Sequence, residues 1–144
     1  RGVLETVKKL RWCPEVIHCH GWISALVPLY IKSAYSEEPS FRDSKIIISL
    51  FDDSFNEPFD NSFITKLMCK DMNEEVLGGM AAPVTAFELA KLAIRNCDGV
   101  IINGENVSPE LIEYAESLGK AILPKATLEE SGNNCYDFYG SLFE

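Results

Sequence analysis

The sequence is poor in histidine and in basic residues, and these shortages exclude several kinds of partner. It contains 2 histidines, and its 13 lysines and arginines face 22 aspartates and glutamates, which gives a net charge of −9. Nucleic acids and anionic membranes attract basic surfaces, so neither is expected as a partner. The sequence also has no apolar run near the ~20 residues that a membrane-spanning helix needs.

Paired cysteines and phosphate-binding loops are missing as well. The 5 cysteines are odd in number and form no CxxC pair, which favours reduced thiols in a cytoplasmic location. Gly78-Gly79 is not followed by the Lys-Ser/Thr pair of a P-loop, and no GxGxxG pattern occurs. The sequence therefore predicts no cofactor and no loop that binds nucleotide phosphates.

The apolar content is sufficient for one domain. Because 47% of the 144 residues are apolar, the chain is able to bury a sizeable core. We predict a single domain over residues 1–144. The chain opens on Arg1 rather than Met and runs at once into a helix-like segment, which indicates a fragment whose beginning is missing.

Short β-branched runs bounded by polar turns are typical of central parallel strands. Such runs predict strands at 16–19, 45–51, 99–103 and 121–123. The segments between and after them have helical patterns, which predict helices at 22–34, 83–96, 109–119 and 136–143, with Pro28 bending the first and Ser108 capping the third. This alternation predicts an α/β fold, with an open parallel sheet and flanking helices.

Polar or ligand-binding residue types follow three of the predicted strands. His20, Gly21 and Trp22 follow the first strand, residues 51–53 follow the second, and residues 103–105 follow the third. In an open parallel sheet, ligands bind outside the carboxyl ends of the strands. We therefore expect these three turns to share one face and to form the binding site.

The two histidines, His18 and His20, are two residues apart, so an extended chain places them on the same side. Zinc sites use this spacing, but no third or fourth ligand follows from the sequence. We favour packing of His18 at the strand end and predict no metal. Cys19 would face the opposite side as a core thiol.

Two further groups have alternative interpretations. Asp52 and Asp53 could supply a general base or a metal carboxylate, but a solvated acidic turn is favoured, since adjacent carboxylates do not easily face one ligand. Trp12 and Trp22 could form a sugar-stacking surface, although core packing is the favoured role for each.

The segment PEVIHCHGWISALVPLYIK at 14–32 resembles a segment of bacterial glycogen synthases and plant starch synthases that usually reads PDxxHxHDWxTALxPxxLK. The proline, both histidines, the tryptophan, Ala-Leu, the second proline and the lysine match without a gap. KIIISLFDDSF resembles the next strand of that family, and NCDGVIINGENVSPELIEYA resembles its (S/A)DxVxTVSPxYAxE segment. The resemblance covers roughly residues 12–116.

That family transfers glucose from ADP-glucose to an α-1,4-glucan, using two Rossmann-like domains with the active site between them. The resemblance implies a Rossmann-like fold and the later part of the N-terminal domain. It implies α-1,4-glucan and a nucleotide sugar as partners, with the donor site on a separate domain or subunit. The substrate-binding residues that it implies are His20, Gly21, Trp22 and Asp52.

Two residues depart from the family pattern. The family's acidic residue before the tryptophan is Gly21 here, and the histidine of its T-x-H-N strand end falls at Phe51, with Asp52 at the asparagine. Losing these polar groups weakens transition-state stabilisation, so we do not expect this chain to catalyse transfer alone. The alternative is a non-catalytic module that keeps the fold and binds glucan or a partner protein.

Overall fold

The structure is a computed structural model, which describes residues 1–52, 58–60, 62–67, 75, 77, 84–124 and 133–144. Its strands are β1 (Val16–His20), β2 (Lys45–Leu50), β3 (Gly99–Ile102) and β4 (Ala121–Leu123). Its helices are α1 (Gly2–Lys9), α2 (Leu26–Lys32), α3 (Phe63–Leu67), α4 (Ala86–Asn96), α5 (Pro109–Ser117) and α6 (Asn134–Ser141), and a 3-10 turn at Trp22–Ser24 precedes α2.

The strands form one parallel sheet in the order β1-β2-β3-β4. In its register, His18 lies beside Ile47, Ser49 beside Ile101, and Ile101 beside Leu123. All four strands lie within one residue of the bounds predicted from the sequence. The predicted α/β fold, a parallel sheet with flanking helices, is confirmed.

The two faces of the sheet pack against different helices. Alternate residues of β2 and β3, such as Ile48 and Val100, join a core with α4 residues that include Leu89 and Ala93. On the other face, residues of β2, β3 and β4 pack with Phe138 of α6. Because both faces are covered, residues Ile46 to Leu50 of β2 are all buried.

The helix starts differ in detail from the sequence predictions. The helix predicted at 22–34 divides into the 3-10 turn and α2, and Pro28 is buried within α2. Helix α4 begins at Ala86, where Thr85 and Glu88 form a capping box that the T-x-x-E pattern already contains. Ser108 occupies the N-cap position of α5, but its side chain makes no capping hydrogen bond.

Several predictions fall outside the described residues, among them Asp53, Gly78-Gly79 and most of the loops predicted at 51–61 and 73–82. Helix α3 was not predicted. Within the part of the chain that is described, no helix is long and apolar enough to cross a membrane. The assignment of residues 1–144 to a single domain stays a prediction.

Lys32 and Asp98, which both lie in the sequence motifs, meet at the edge of the sheet opposite the predicted site. The Asp98 carboxylate accepts a hydrogen bond from the Ile46 amide at 2.8 Å, and it forms an ion pair with Lys32 at 3.6 Å. The Asp98 amide donates in turn to the Ile46 carbonyl at 2.7 Å. These bonds tie the start of β2 to the turn before β3 and to the end of α2.

Replacing Asp98 with alanine is expected to lower the free energy of unfolding by about 1 kcal/mol, because the buried Ile46 amide loses its acceptor. Urea unfolding measures this change. The control is Asp43→Ala, since Asp43 pairs with Arg42 at 3.8 Å on the open surface, where ion pairs contribute little. Equal stability of the two variants would show that the Asp98 contacts add nothing.

Candidate functional site

The turns after β1, β2 and β3 meet around a cavity of about 460 Å³. Gly21 and Trp22 border it from β1, Phe51 and Asp52 from β2, and residues 106–108 from the turn that leads into α5. The meeting follows from the parallel sheet, which brings the carboxyl ends of all its strands to one edge. A substrate-binding role for these residues stays a prediction.

The described walls of the cavity are largely apolar. Ile48 and Leu50 line it from the sheet, and helix α4 contributes Phe87 and a row of alanines, namely Ala86, Ala90 and Ala93. Polar side chains on the described walls come from Asp52, Asn106 and Ser108. The alanine row was not among the predicted site residues, although its helical spacing is visible in the sequence. Small side chains on one helix face leave room for a ligand.

Gly21 sets the direction of the chain between β1 and Trp22. Its backbone has φ 67° and ψ −178°, a region that is essentially restricted to glycine. The Gly21 amide donates to the Ser49 carbonyl at 3.1 Å, and the Ser24 hydroxyl donates to the His20 carbonyl at 2.8 Å. This turn holds the Trp22 ring at the cavity, with its centroid 5.9 Å from that of Phe59.

The backbone at Gly21 also makes the first departure from the family pattern testable. We expect Gly21→Asp, which restores the family's acidic residue, to lower the free energy of unfolding by about 1–2 kcal/mol, because a side chain is strained at this φ. Chemical unfolding measures the loss. Gly2→Asp is the matched control, because Gly2 has open space around it at the start of α1, where an acidic side chain is favourable. A fully stable Gly21→Asp variant would contradict this account.

The two histidines stack on one side of β1, with ring centroids 4.1 Å apart. His18 lies between two hydroxyls: its Nδ1 is 2.6 Å from Tyr139 Oη, and its Nε2 is 2.6 Å from Ser49 Oγ. Burial, and to a smaller extent the charge of His20, lower the pKa of His18 to about 4. The predicted packing of His18 at the strand end is confirmed.

His20 is exposed, and it lies beside the cavity rather than among its lining residues, with its ring centroid 6.1 Å from that of Phe51. Cys19 faces the other side and is buried, which raises the pKa of its thiol to about 11, so its predicted role as a core thiol is confirmed. The described residues contain no cluster of three or more His, Cys, Asp or Glu side chains that could hold a metal.

Asp52 has a role that neither sequence interpretation included. Its carboxylate accepts hydrogen bonds from the amides of Glu105 at 3.1 Å and Asn106 at 2.7 Å, and from the Asn106 side-chain amide at 3.4 Å. These bonds fix the turn between β3 and α5 against the end of β2. Gly104 allows the close approach, because a Cβ atom there would lie 1.9 Å from Asp52 Oδ1. Asp52 therefore shapes one wall of the cavity.

The fold is that of a parallel α/β protein with a cavity at the carboxyl edge of its sheet, which is where ligands bind in proteins of this class. Residues 1–122 match the family model of the starch synthase catalytic domain. The chain belongs to this family, and the resemblance stated from its motifs is confirmed.

The relatives are named glycogen synthases. That of Clostridium perfringens is 30% identical over 111 residues, which cover 77% of this chain and 23% of that protein. That of Chlorobaculum parvum is 28% identical over 116 residues, 81% of this chain and 23% of that protein. That of Pelodictyon phaeoclathratiforme is 47% identical over 49 residues, 34% of this chain and 10% of that protein. The chain thus spans less than a quarter of these relatives, and no solved structure matches it significantly.

Proposed function

We propose that this chain is part of a cytoplasmic glycosyltransferase that transfers glucose from ADP-glucose to an α-1,4-glucan. The observation that carries the proposal is the meeting of the motif turn at Gly21-Trp22 with the strand end at Phe51-Asp52 on one cavity, in a chain of the starch synthase family. The relatives' name, glycogen synthase, supports the same reaction.

Each proposed substrate-binding residue has a distinct part in the proposed site. The Trp22 ring offers an apolar face against which a glucose ring can stack. His20 is exposed beside the cavity and offers ring nitrogens to sugar hydroxyls. Asp52 positions the wall that carries Asn106 and Ser108, and Gly21 holds the turn in shape.

We further propose that this chain is inactive alone and that a separate domain or subunit supplies the donor site. Phe51 borders the cavity where the family pattern has a histidine, and Gly21 replaces an acidic residue. Neither side chain is able to hydrogen-bond a hydroxyl in the transition state. Transfer therefore depends on polar groups that other parts of the protein contribute.

Trp22 fluorescence tests glucan binding directly. The measurement uses a Trp12→Phe background, since the 60% exposed Trp12 is the second of the 2 tryptophans. Titration with maltoheptaose is expected to change the emission and to saturate, whereas cellobiose, which has a β-1,4 linkage, is expected to leave it unchanged. An equal change in emission with both sugars, or no change with maltoheptaose, would contradict the proposed glucan site.

The transfer reaction has its own test. The native full-length protein is incubated with labelled ADP-glucose and glycogen, and incorporation of glucose into glycogen is measured. We expect incorporation by the full-length protein and none by residues 1–144 alone. If the full-length protein binds maltoheptaose and incorporates no glucose, the catalytic form of the proposal fails.

The second candidate is a non-catalytic module that binds glucan or a partner protein. The hydrogen bonds of Asp52 favour this candidate, because loop amides already donate to both of its carboxylate oxygens. The described cavity walls are left with few polar groups for a sugar. Glucan binding without transfer supports the glucan version of the module. Absence of binding leaves the version with a protein partner.

A further inference from the structure

Helix α6 follows the residues that match the family model, yet it contacts β1, the strand that carries His18 and His20. Phe138 is buried against Ile47 and Ile101 on the face of the sheet opposite α4. Gly99 allows close packing of this helix, because a Cβ atom there would lie 3.0 Å from the Phe138 ring and 3.4 Å from Leu142. The helix is therefore held firmly beside His18.

Tyr139 of this helix contacts the first motif histidine directly. Its hydroxyl lies 2.6 Å from His18 Nδ1, and the two rings meet edge to face at 5.7 Å. Ser49, which is 1% exposed, holds the opposite nitrogen at 2.6 Å. A neutral imidazole has one donor and one acceptor nitrogen, and each hydroxyl is able to complement either. The two hydroxyls together fix both the plane and the tilt of the His18 ring.

The orientation of the His18 ring affects that of the His20 ring, because the two rings stack. The centroids are 4.1 Å apart and the planes differ by 23°, while the Phe51 ring lies 6.1 Å away on the cavity side. His20 is exposed, so its neighbours rather than burial limit its motion. A rotated His18 ring would remove the surface on which His20 rests.

We propose that Tyr139 is a positioning residue for His20 and acts through the hydrogen-bonded ring of His18. Helix α6 then belongs to the sugar site although it contributes no residue to the described cavity lining. The contact is non-local, since 121 residues separate Tyr139 from His18. The sugar-binding part of this inference rests on the proposed function, whereas the control of the His20 ring does not.

The experiment compares Tyr139→Phe with Tyr136→Phe in the full chain. The control removes a hydroxyl from the same helix at a 78% exposed position. Because the chain has 2 histidines, the ring signals in a ¹⁵N-¹H NMR spectrum are assigned from one histidine variant. In Tyr139→Phe we expect displaced ring signals of both His18 and His20, because His18 Nδ1 loses its hydroxyl partner. In Tyr136→Phe we expect the wild-type spectrum.

Maltoheptaose affinity gives the second readout. Tyr139→Phe is expected to weaken binding about fivefold, an effect of the size that one lost hydrogen bond produces. Unchanged affinity, or unchanged His20 signals, would overturn the proposal. If the wild type binds no maltoheptaose, the proposed function fails, and the displacement of the His20 signals alone decides the positioning role.

Folding of the variants is checked by thermal unfolding, and Ser49→Ala provides an independent route to the same result. It removes the hydroxyl on the other nitrogen of His18 and leaves α6 untouched. We expect it to displace the His20 signals and to weaken maltoheptaose binding by a similar factor. A Ser49→Ala variant that folds and keeps the wild-type His20 signals would contradict the proposed path through His18.

Discussion

Replacing Gly104 with alanine is expected to lower the free energy of unfolding by about 2–3 kcal/mol, the cost of overpacking a closely packed site. The added Cβ would lie 1.9 Å from Asp52 Oδ1 and 2.7 Å from the Asp52 amide nitrogen. Rotation of the carboxylate relieves the first contact, but the second involves backbone at the end of β2. The turn must therefore move away from the strand, and the hydrogen bonds that the Glu105 and Asn106 amides donate to the Asp52 carboxylate are lost.

Gly140→Ala is the matched control for this prediction, because Gly140 lies inside α6, where an added Cβ meets nothing within 4 Å beyond the adjacent residues and the nearby backbone of the helix itself. It is expected to be neutral or to stabilise the protein by up to about 1 kcal/mol. The double variant Gly104→Ala/Asp52→Gly is expected to recover little stability, since the clash with the backbone remains. A Gly104→Ala variant as stable as the wild type in urea would show that the turn is not fixed against β2.

Displacement of this turn is also expected to change the cavity. Asn106 and Ser108 lie directly after it and line the wall next to α5. If the proposed function holds, maltoheptaose binding weakens in Gly104→Ala to an extent that stability alone does not explain. The pair Asp52 and Gly104 thus links the end of one motif strand to the start of the next motif helix.

The strands were predictable because their signal is local. The run Lys45 to Leu50 is continuously apolar apart from its first residue and Ser49, which is what a strand buried on both faces requires. The edge of the sheet at which the candidate site lies was also predictable, because the carboxyl ends of parallel strands lie together. The start of α4 was also encoded locally, in the capping box of Thr85 and Glu88, although the helical pattern predicts a start at residue 83.

The contacts that shape the candidate site were not predictable, because they join distant parts of the chain. Asp52 and Asn106 are 54 residues apart, and His18 and Tyr139 are 121 apart. The hydrophobic periodicity of a sequence does not predict contacts between such distant residues. The sequence indicates a lost polar group at Gly21 and a binding turn at Gly104, whereas each glycine satisfies a steric requirement of the backbone.

The motif residues divide into two groups by position in the sheet. Lys32 and Asp98 lie at the edge opposite the cavity and tie strands and helix together. Trp22 borders the cavity, and His18 supports its neighbour His20 from within the strand. A match to the motif therefore reports the fold, and the departures at Gly21 and Phe51 do not weaken the family assignment.

Acid is expected to destabilise the protein through His18, by about 2 kcal/mol between pH 7 and pH 4. Burial lowers the pKa of this imidazole from 6.5 to about 4, and the charge of His20 is the second cause. The unfolded chain binds the proton near pH 6.5, whereas the folded chain excludes it until about pH 4. The stability contribution is therefore complete above pH 6.5 and is lost as the pH falls through this window.

The size of the effect follows from the size of the pKa change. A fully buried ring with this pKa would contribute about 3 kcal/mol, and partial exposure of His18 to solvent reduces the value. Urea unfolding at intervals between pH 7 and pH 4 measures the dependence in the wild type and in His18→Gln. The variant is expected to be less stable at pH 7, since it disturbs the bonds to Ser49 and Tyr139, but to lose less stability on acidification.

His20→Gln separates the burial of His18 from the charge beside it. Because burial is the larger cause of the lowered pKa, this variant is expected to keep most of the wild-type acid sensitivity. His18→Gln and the wild type could lose the same unfolding free energy between pH 7 and pH 4. In that case the acid sensitivity arises from carboxylates elsewhere and not from His18. If both variants lose the sensitivity equally, repulsion between the stacked rings outweighs burial.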